Sequence, residues 1–230
     1  MSSFDVSEHY DEEYFRWQAR HGLLQGEATA FIFRPFLTDS MNILDFGCGD
    51  GSLLAVLGGK SGVEINPSAI EIAQLRGIEV RPSLNSYPPE SFDAIITNHA
   101  LEHVEDPIAK LREILTLLRF GGIFIGVVPC DRANTPFNLS DQDMHLFSWS
   151  SGNFGNLVRA AGFDVVRAEE IVHRWPPKWH LIQRFGGWRA FHTAATIWAR
   201  LDRSRRQVRV VAHRPIISSD TEGAGLTANR

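Results

Sequence analysis

Residues 42–54 read NILDFGCGDGSLL: a short strand-type run, a turn with glycines at Gly47, Gly49 and Gly51, and the start of an apolar helix at Ser52. Glycines at such a turn allow dihedrals closed to other residues and let a ligand approach the backbone closely. The spacing falls one residue short of the GxGxxG dinucleotide fingerprint, so the acids around it carry the reading. Glu64 falls at the end of the next strand-type run, where a carboxylate can accept both hydroxyls of a ribose. Asp45 stands directly before the glycines. An anion there opposes a bound pyrophosphate by roughly 4 kcal/mol at 4 Å and an effective dielectric constant near 20. It favours a ligand that carries a ribose and an ammonium but no phosphate. No Lys-Ser/Thr pair follows the glycines, which excludes a Walker loop.

Outward from this unit, strand-type and helical segments alternate to the end of the chain, the pattern of a parallel α/β sheet. Strands are expected at Asn42–Asp45, Gly62–Glu64, Glu79–Arg81, Phe92–Thr97, Ile123–Val128, Phe163–Ala168 and Val208–Ala212. The continuous apolar runs at 94–97 and 123–128 suit strands covered on both faces. Asn66-Pro67 opens a helix that stops at Gly77. Asp106-Pro107 opens another, with Ile108, Leu111, Leu115 and Leu118 as its stripe and Gly121-Gly122 as its end. Ser148 or Ser150 caps a third running to Gly162. Residues 1–40 read as aromatic-rich helices, 41–215 as the main domain, and 216–230 as a loose tail.

With 230 residues, 43% hydrophobic and 22% charged, the chain has the composition of an ordinary globular protein. No apolar run approaches the ~20 residues that span a bilayer. Met1–Gln18 is acidic and lacks an apolar core, so no secretory signal is expected. Cys48 and Cys130 belong to no CxxC or Cys/His cluster, which points to a reducing cytoplasm. The net charge of −4 argues against general nucleic-acid binding but hides an asymmetry. Residues 174–206 hold eight basic residues against one acid, a net +7 that leaves −11 elsewhere, together with four of the six tryptophans.

LDFGCGDG at 44–51, SFDAIITNHALEHVEDP at 91–107, LLRFGG at 117–122 and DMHLFSWSSGNFGNLVRAAGF at 143–163 resemble, in order, the class I S-adenosylmethionine-dependent methyltransferases, particularly their bacterial small-molecule group. The resemblance covers about half the chain. It implies a Rossmann-like α/β fold: a seven-stranded, mostly parallel sheet with the last strand antiparallel, helices on both faces, an N-terminal helical lid, and here a helical insert between strands six and seven. S-adenosylmethionine is the implied cofactor. Asp45, Gly47, Cys48 and Gly49 match the loop around its methionine part, Glu64 the ribose ligand and Ile65 an adenine neighbour. Asn98 and His99 match the end of strand four beneath the methionine. After strand three the family often has an acid facing the adenine amine; this chain has Ser83, Leu84 and Asn85 there, with Leu84 as the candidate contact.

Methyl transfer is an in-line displacement that mainly requires alignment, and a hydroxyl acceptor benefits from a base such as histidine. His145, in the segment that lines the acceptor mouth of resembling enzymes, is the preferred base; His99 and His103 are the others. Each has a plainer reading as a packing or loop-bonding residue. Asp141, Asp143 and His145 are weighed as metal ligands and set aside, so no metal is expected. Tyr14 and Gln18, on one face of the leading helix with Tyr10, are candidate cofactor contacts of the lid, where an aromatic face suits a sulfonium. The basic insert, opened by Pro176-Pro177 and interrupted by Gly186-Gly187, reads as two short amphipathic helices or one kinked helix. It serves as a packing cap, an acceptor wall for an anionic substrate, or a peripheral membrane contact. The expected function is O-methylation of a small-molecule acceptor, a surface-glycan sugar or lipid-linked precursor. A quinone or other aromatic hydroxyl, a nicotinamide-dependent oxidoreductase and a non-catalytic cofactor-binding protein are the alternatives. The oligomeric state is not legible.

Overall fold

The computed structural model describes residues 22–130, 144–202 and 206–216. A helix over residues 22–30 (α1) leads through a 3-10 turn at Arg34–Phe36 into the sheet. There follow β1 (Ile43–Phe46), α2 (Ser52–Val56), β2 (Ser61–Val63), α3 (Pro67–Leu75), β3 (Glu79–Arg81), β4 (Phe92–Asn98), α4 (Pro107–Leu117), β5 (Leu118–Pro129), α5 (Ser151–Ala160), β6 (Asp164–Val172), α6 (Trp179–Asp202) and β7 (Arg206–His213). The seven strands lie in the order β3-β2-β1-β4-β5-β7-β6. β1 to β5 pair parallel, and β7 runs antiparallel to both β5 and β6. The strand order reverses between β1 and β4, where the two halves of the sheet diverge and leave a crevice at their carboxyl ends.

Alternation along the central strands divides the core into two layers. Ile43, Ala94, Ile96, Ile125, Val127 and Val211 pack on one face with Phe33 and Leu54. Leu44, Ile95, Phe124, Val128 and Val210 face the other side, against Leu111 and Ile114 of α4 and Phe154 and Val158 of α5. Local chemistry sets the helix starts. Asn66 accepts hydrogen bonds from the backbone N–H groups of Ser68 and Ala69 at 3.0 and 3.2 Å, with Pro67 in the first turn. Asp106 caps α4 through the N–H of Ala109. The cap of α5 is Ser150, not Ser148, and Asn153 bonds back to close a capping box.

Several sequence expectations shift. The strands keep their places but move or lengthen by a few residues, most at β5, which begins at Leu118 instead of Ile123. Gly121-Gly122 does not end α4: the helix stops at Leu117, and Leu118 is already extended and paired with Phe92. The glycines instead sit inside β5, where the register against β4 slips between Phe92 and Ala94. There Gly121 takes φ +75° and donates to the carbonyl of Arg214, while His213 Nδ1 lies 3.1 Å from the Gly121 carbonyl. Two glycines before an apolar run signal a helix end and a strand bulge equally well, and the edge pairing decides between them.

A Cβ at Gly121 would meet only Ile216, at 3.6 Å, so an alanine there strains the backbone and nothing else. Gly121→Ala is expected to destabilise the fold by about 1–2 kcal/mol, the usual scale for an L-residue in the left-handed region. Urea unfolding measures this; no change would mean that the β5 bulge is not held in this conformation.

Candidate active site

The site is built at the carboxyl ends of β1, β2 and β4. The glycine turn folds back on β2: the N–H groups of Gly47 and Cys48 both donate to the carbonyl of Val63, at 2.9 and 3.0 Å. Glu64, immediately after β2, accepts from the N–H of Gly49 with Oε2 (2.9 Å) and from those of Ile65 and Asn66 with Oε1 (2.8 and 2.9 Å). One carboxylate thus fixes the glycine loop, the end of β2 and the entry to α3.

Asp45 and Asp50 are both buried, with opposite electrostatics. Asp50 is neutralised by Arg76 at 2.9 Å and accepts from the backbone and hydroxyl of Ser52. Asp45 is 2% exposed, and its Oδ1 accepts no hydrogen bond among the described residues. Burial first, then repulsion from Glu64, raises its carboxyl from 3.8 to about 8. The same burial, with the charges of Asp45 and Glu64, pushes the Cys48 thiol far up, so it stays protonated. Cys48 packs toward Gly62 and contributes its backbone, not a reactive sulfur, to the loop.

Two cavities meet here. The smaller, about 160 Å³, is lined by Asp45, Gly47, Cys48, Gly49 and Asp50, with no Lys or Arg among the described residues of its wall. The larger, about 660 Å³, runs from His99 to His173, Arg174, Trp175 and Trp179. Gln25, Thr29 and Asn98 belong to both walls. Gln25 and Thr29 escaped the sequence reading. Their signal is the four-residue spacing of Gly22 and Gly26, which lets α1 lie flush on the glycine loop: a Cβ at Gly26 would stand 2.6 Å from the Ser52 carbonyl oxygen.

At the end of β4, His99 has φ +55°, rare for a residue with a side chain, while its N–H still bonds to the carbonyl of Val127. Its Nδ1 lies 3.3 Å from Oε1 of Glu102, which is fully buried and accepts no hydrogen bond among the described residues. His103 is held below the usual histidine range by burial, with the opposing pull of Glu102 and the push of His145 smaller. The rings of His103 and His145 meet edge-on at 5.3 Å, and the N–H of Leu146 bonds to the carbonyl of Glu102. Ligand-type atoms of Glu102, His103 and His145 all lie within 4.8 Å of one another. Neither His103 nor His145 lines either cavity; His99 does.

His173 is half of a buried imidazole pair: its Nε2 is 3.3 Å from His192 Nδ1, and Phe31 covers both rings at 4.6 and 4.3 Å. Burial, then the His192 ring, lowers His173 to about 4, so it presents a neutral face to the larger cavity. Leu84 is packed in the main core, which takes its side chain away from the cleft. Ile65 is exposed beside Glu64. Tyr14, Gln18, Asp141 and Asp143 lie outside the described residues.

A family model described as a methyltransferase domain matches residues 14–168, more than half of the chain. The chain belongs to that methyltransferase family. A ubiquinone biosynthesis O-methyltransferase of Albidiferax ferrireducens is 34% identical over 95 residues, 35% of this chain and 38% of the relative. The chain therefore spans under two fifths of the length of that relative. An uncharacterized methyltransferase of Mycobacterium bovis is 29% identical over 146 residues, 59% of this chain and 69% of the relative. Among solved structures, an S-adenosylmethionine-dependent methyltransferase from Thermotoga maritima superposes with a TM-score of 0.61 at 20% identity, over 90% of this chain and 97% of that one. A Haemonchus contortus phosphoethanolamine N-methyltransferase 2 gives 0.63 at 13% identity, over 94% and 61%. At these identities the structures speak for the fold.

The residues of this methyltransferase domain suit S-adenosylmethionine as cofactor. The unpartnered Oδ1 of Asp45 is matched by an ammonium, and a cavity wall without Lys or Arg among the described residues suits a ligand without phosphate.

In the unfolded chain Asp45 loses its proton near pH 3.8 and in the folded chain near 8, so between these values folding takes up a proton and stability falls as pH rises. Asn cannot titrate. Asp45→Asn is expected to gain on wild type by up to about 1.4 kcal/mol per pH unit across that window, read by urea unfolding. It is also expected to bind S-adenosylhomocysteine at least about tenfold more weakly, since it loses a charge-assisted hydrogen bond. A pH-independent difference would remove the buried-charge account.

Proposed function

We propose that the enzyme methylates a hydroxyl oxygen of a small, ring-bearing acceptor seated in the larger cavity, with His99 as general base. The carrying observation is that His99 stands on that cavity's wall next to Asn98, which belongs to both cavities, with the buried Glu102 carboxylate 3.3 Å behind its Nδ1. S-adenosylmethionine supplies an electrophilic methyl group on a sulfonium. Asp45 binds its ammonium, the glycine loop accommodates its methionine part, Glu64 offers its remaining lone pair to the ribose, and Ile65 covers the adenine. The His99 ring, with the Glu102 carboxylate 3.3 Å from its Nδ1, takes the acceptor's hydroxyl proton. The imidazolium so formed is stabilised by the same carboxylate. The left-handed backbone of His99 fits this reading, because such strain persists where surrounding structure holds it for use.

Trp175, Trp179 and Phe31 give the cavity flat apolar faces, and Arg174 adds a cation at its wall. These suit the ring of a sugar bearing a phosphate, as in a lipid-linked glycan precursor. An aromatic hydroxyl is the second reading, favoured by the ubiquinone-biosynthesis names of relatives that match about a third of the chain. Tritiated methyl transfer into lipid-linked glycan fractions and into prenylated catechols separates the two.

His99→Ala is expected to lower kcat by about 10²–10⁴, the usual contribution of a general base, with S-adenosylhomocysteine affinity retained. His145→Ala, away from both cavities, is expected to stay within about threefold of wild type. The reverse order in steady-state assays would return the base to His145.

A further inference from the structure

The outward side of α6 does not have the polar surface expected of a solvent-facing helix. The helix breaks at Gly187 (φ +66°, ψ −172°), and its second half rests on the body through Phe191, Ala195 and Ala199. The opposite face of the second half carries Ile197, 55% exposed, and Leu201, 75% exposed, beside Arg189 and Arg200. The first half exposes Leu181, at 41%, and Phe185, at 81%, beside Arg184, with Lys178 just before the helix. No Asp or Glu occurs from Arg174 to Leu201, although acids outnumber bases over the whole chain. Single exposed apolar residues are ordinary; two pairs of them, one on each side of the break, interleaved with arginines and without an acid, are not. Among the described residues no helix is long and apolar enough to cross a membrane, so the feature is a surface one.

We propose that the outward face of α6 docks on an anionic lipid surface. Large apolar side chains enter the headgroup layer, arginines and lysine pair with the lipid phosphates, and the break at Gly187 lets both halves lie in the plane of the interface. Charge selects this occupant over a second copy of the chain, because two such faces brought together would oppose cation to cation. Trp179, at the start of α6, also lines the larger cavity, so a docked enzyme carries the mouth of that cavity to the lipid surface. This last step rests on the acceptor assignment made above, whereas docking itself does not.

The test is sedimentation of the full chain with vesicles of phosphatidylglycerol and phosphatidylcholine, without acceptor or cofactor. Wild type is expected to sediment with the anionic vesicles, to remain in the supernatant with phosphatidylcholine alone, and to be released by high salt. Arg184→Glu with Arg189→Glu, and separately Leu181→Ser with Phe185→Ser, are each expected to weaken binding at least about tenfold. All these side chains are exposed, and an unchanged melting temperature and unchanged S-adenosylhomocysteine affinity verify the fold. Absence from the anionic pellet, equal binding to neutral vesicles, or a dimer in light scattering that Leu181→Ser with Phe185→Ser dissolves would each overturn the proposal. Loss of cofactor binding with vesicle binding intact would strike the catalytic reading instead.

Discussion

A carboxylate buried beside a second carboxylate, with no cation of its own, is the constraint around which this protein is arranged. Asp45 sits one residue before the end of β1, 2% exposed, and Glu64 adds to its burden instead of relieving it. Asp50, five residues on, shows how the same fold treats an acid meant only to support structure: it receives Arg76 and Ser52. The contrast between neighbours sets an acid with an unpartnered oxygen among the described residues apart from one held by a cation and a hydroxyl.

The rest of the site follows from keeping that carboxylate dry yet reachable. The reversal of strand order between β1 and β4 opens the crevice, and the glycine turn bends the chain away from it. α1 closes the side because Gly22 and Gly26 let it press against the turn without intervening side chains. The second chemical centre lies across the same crevice. His99 and Glu102 sit where β4 stops and the 3-10 turn Leu101–His103 begins, so one strand end supplies Asn98 to both cavities and an imidazole to the larger.

The fold was legible because its signals are local. Continuous apolar runs marked the inner strands, Asn66-Pro67 and Asp106-Pro107 marked helix starts, and the motif order carried the topology. Gly121-Gly122 was misplaced because a glycine pair after a helix looks the same whether it ends the helix or opens a bulge, and the partner that decides, Arg214, is nearly a hundred residues away. Asp45 and Glu64 were legible for the same local reason. The histidines were not: ranking His99, His103 and His145 requires knowing which of them borders empty space, and no spacing encodes that. His173 went unassigned because its neutrality comes from Phe31 and His192, brought together only by the packing of α1 and α6.

The buried Asp45 carboxyl also ties the persistence of the folded chain to its ligand. A molecule whose empty site holds a carboxyl without a hydrogen-bond partner at Oδ1 among the described residues gains more from an ammonium ligand than contact area alone would supply, because occupancy also supplies that partner. When the methyl donor is scarce, the population shifts toward conformations that open the crevice to water, and proteases read those conformations. The lifetime of the folded state then rises with ligand occupancy through the mass action of binding alone.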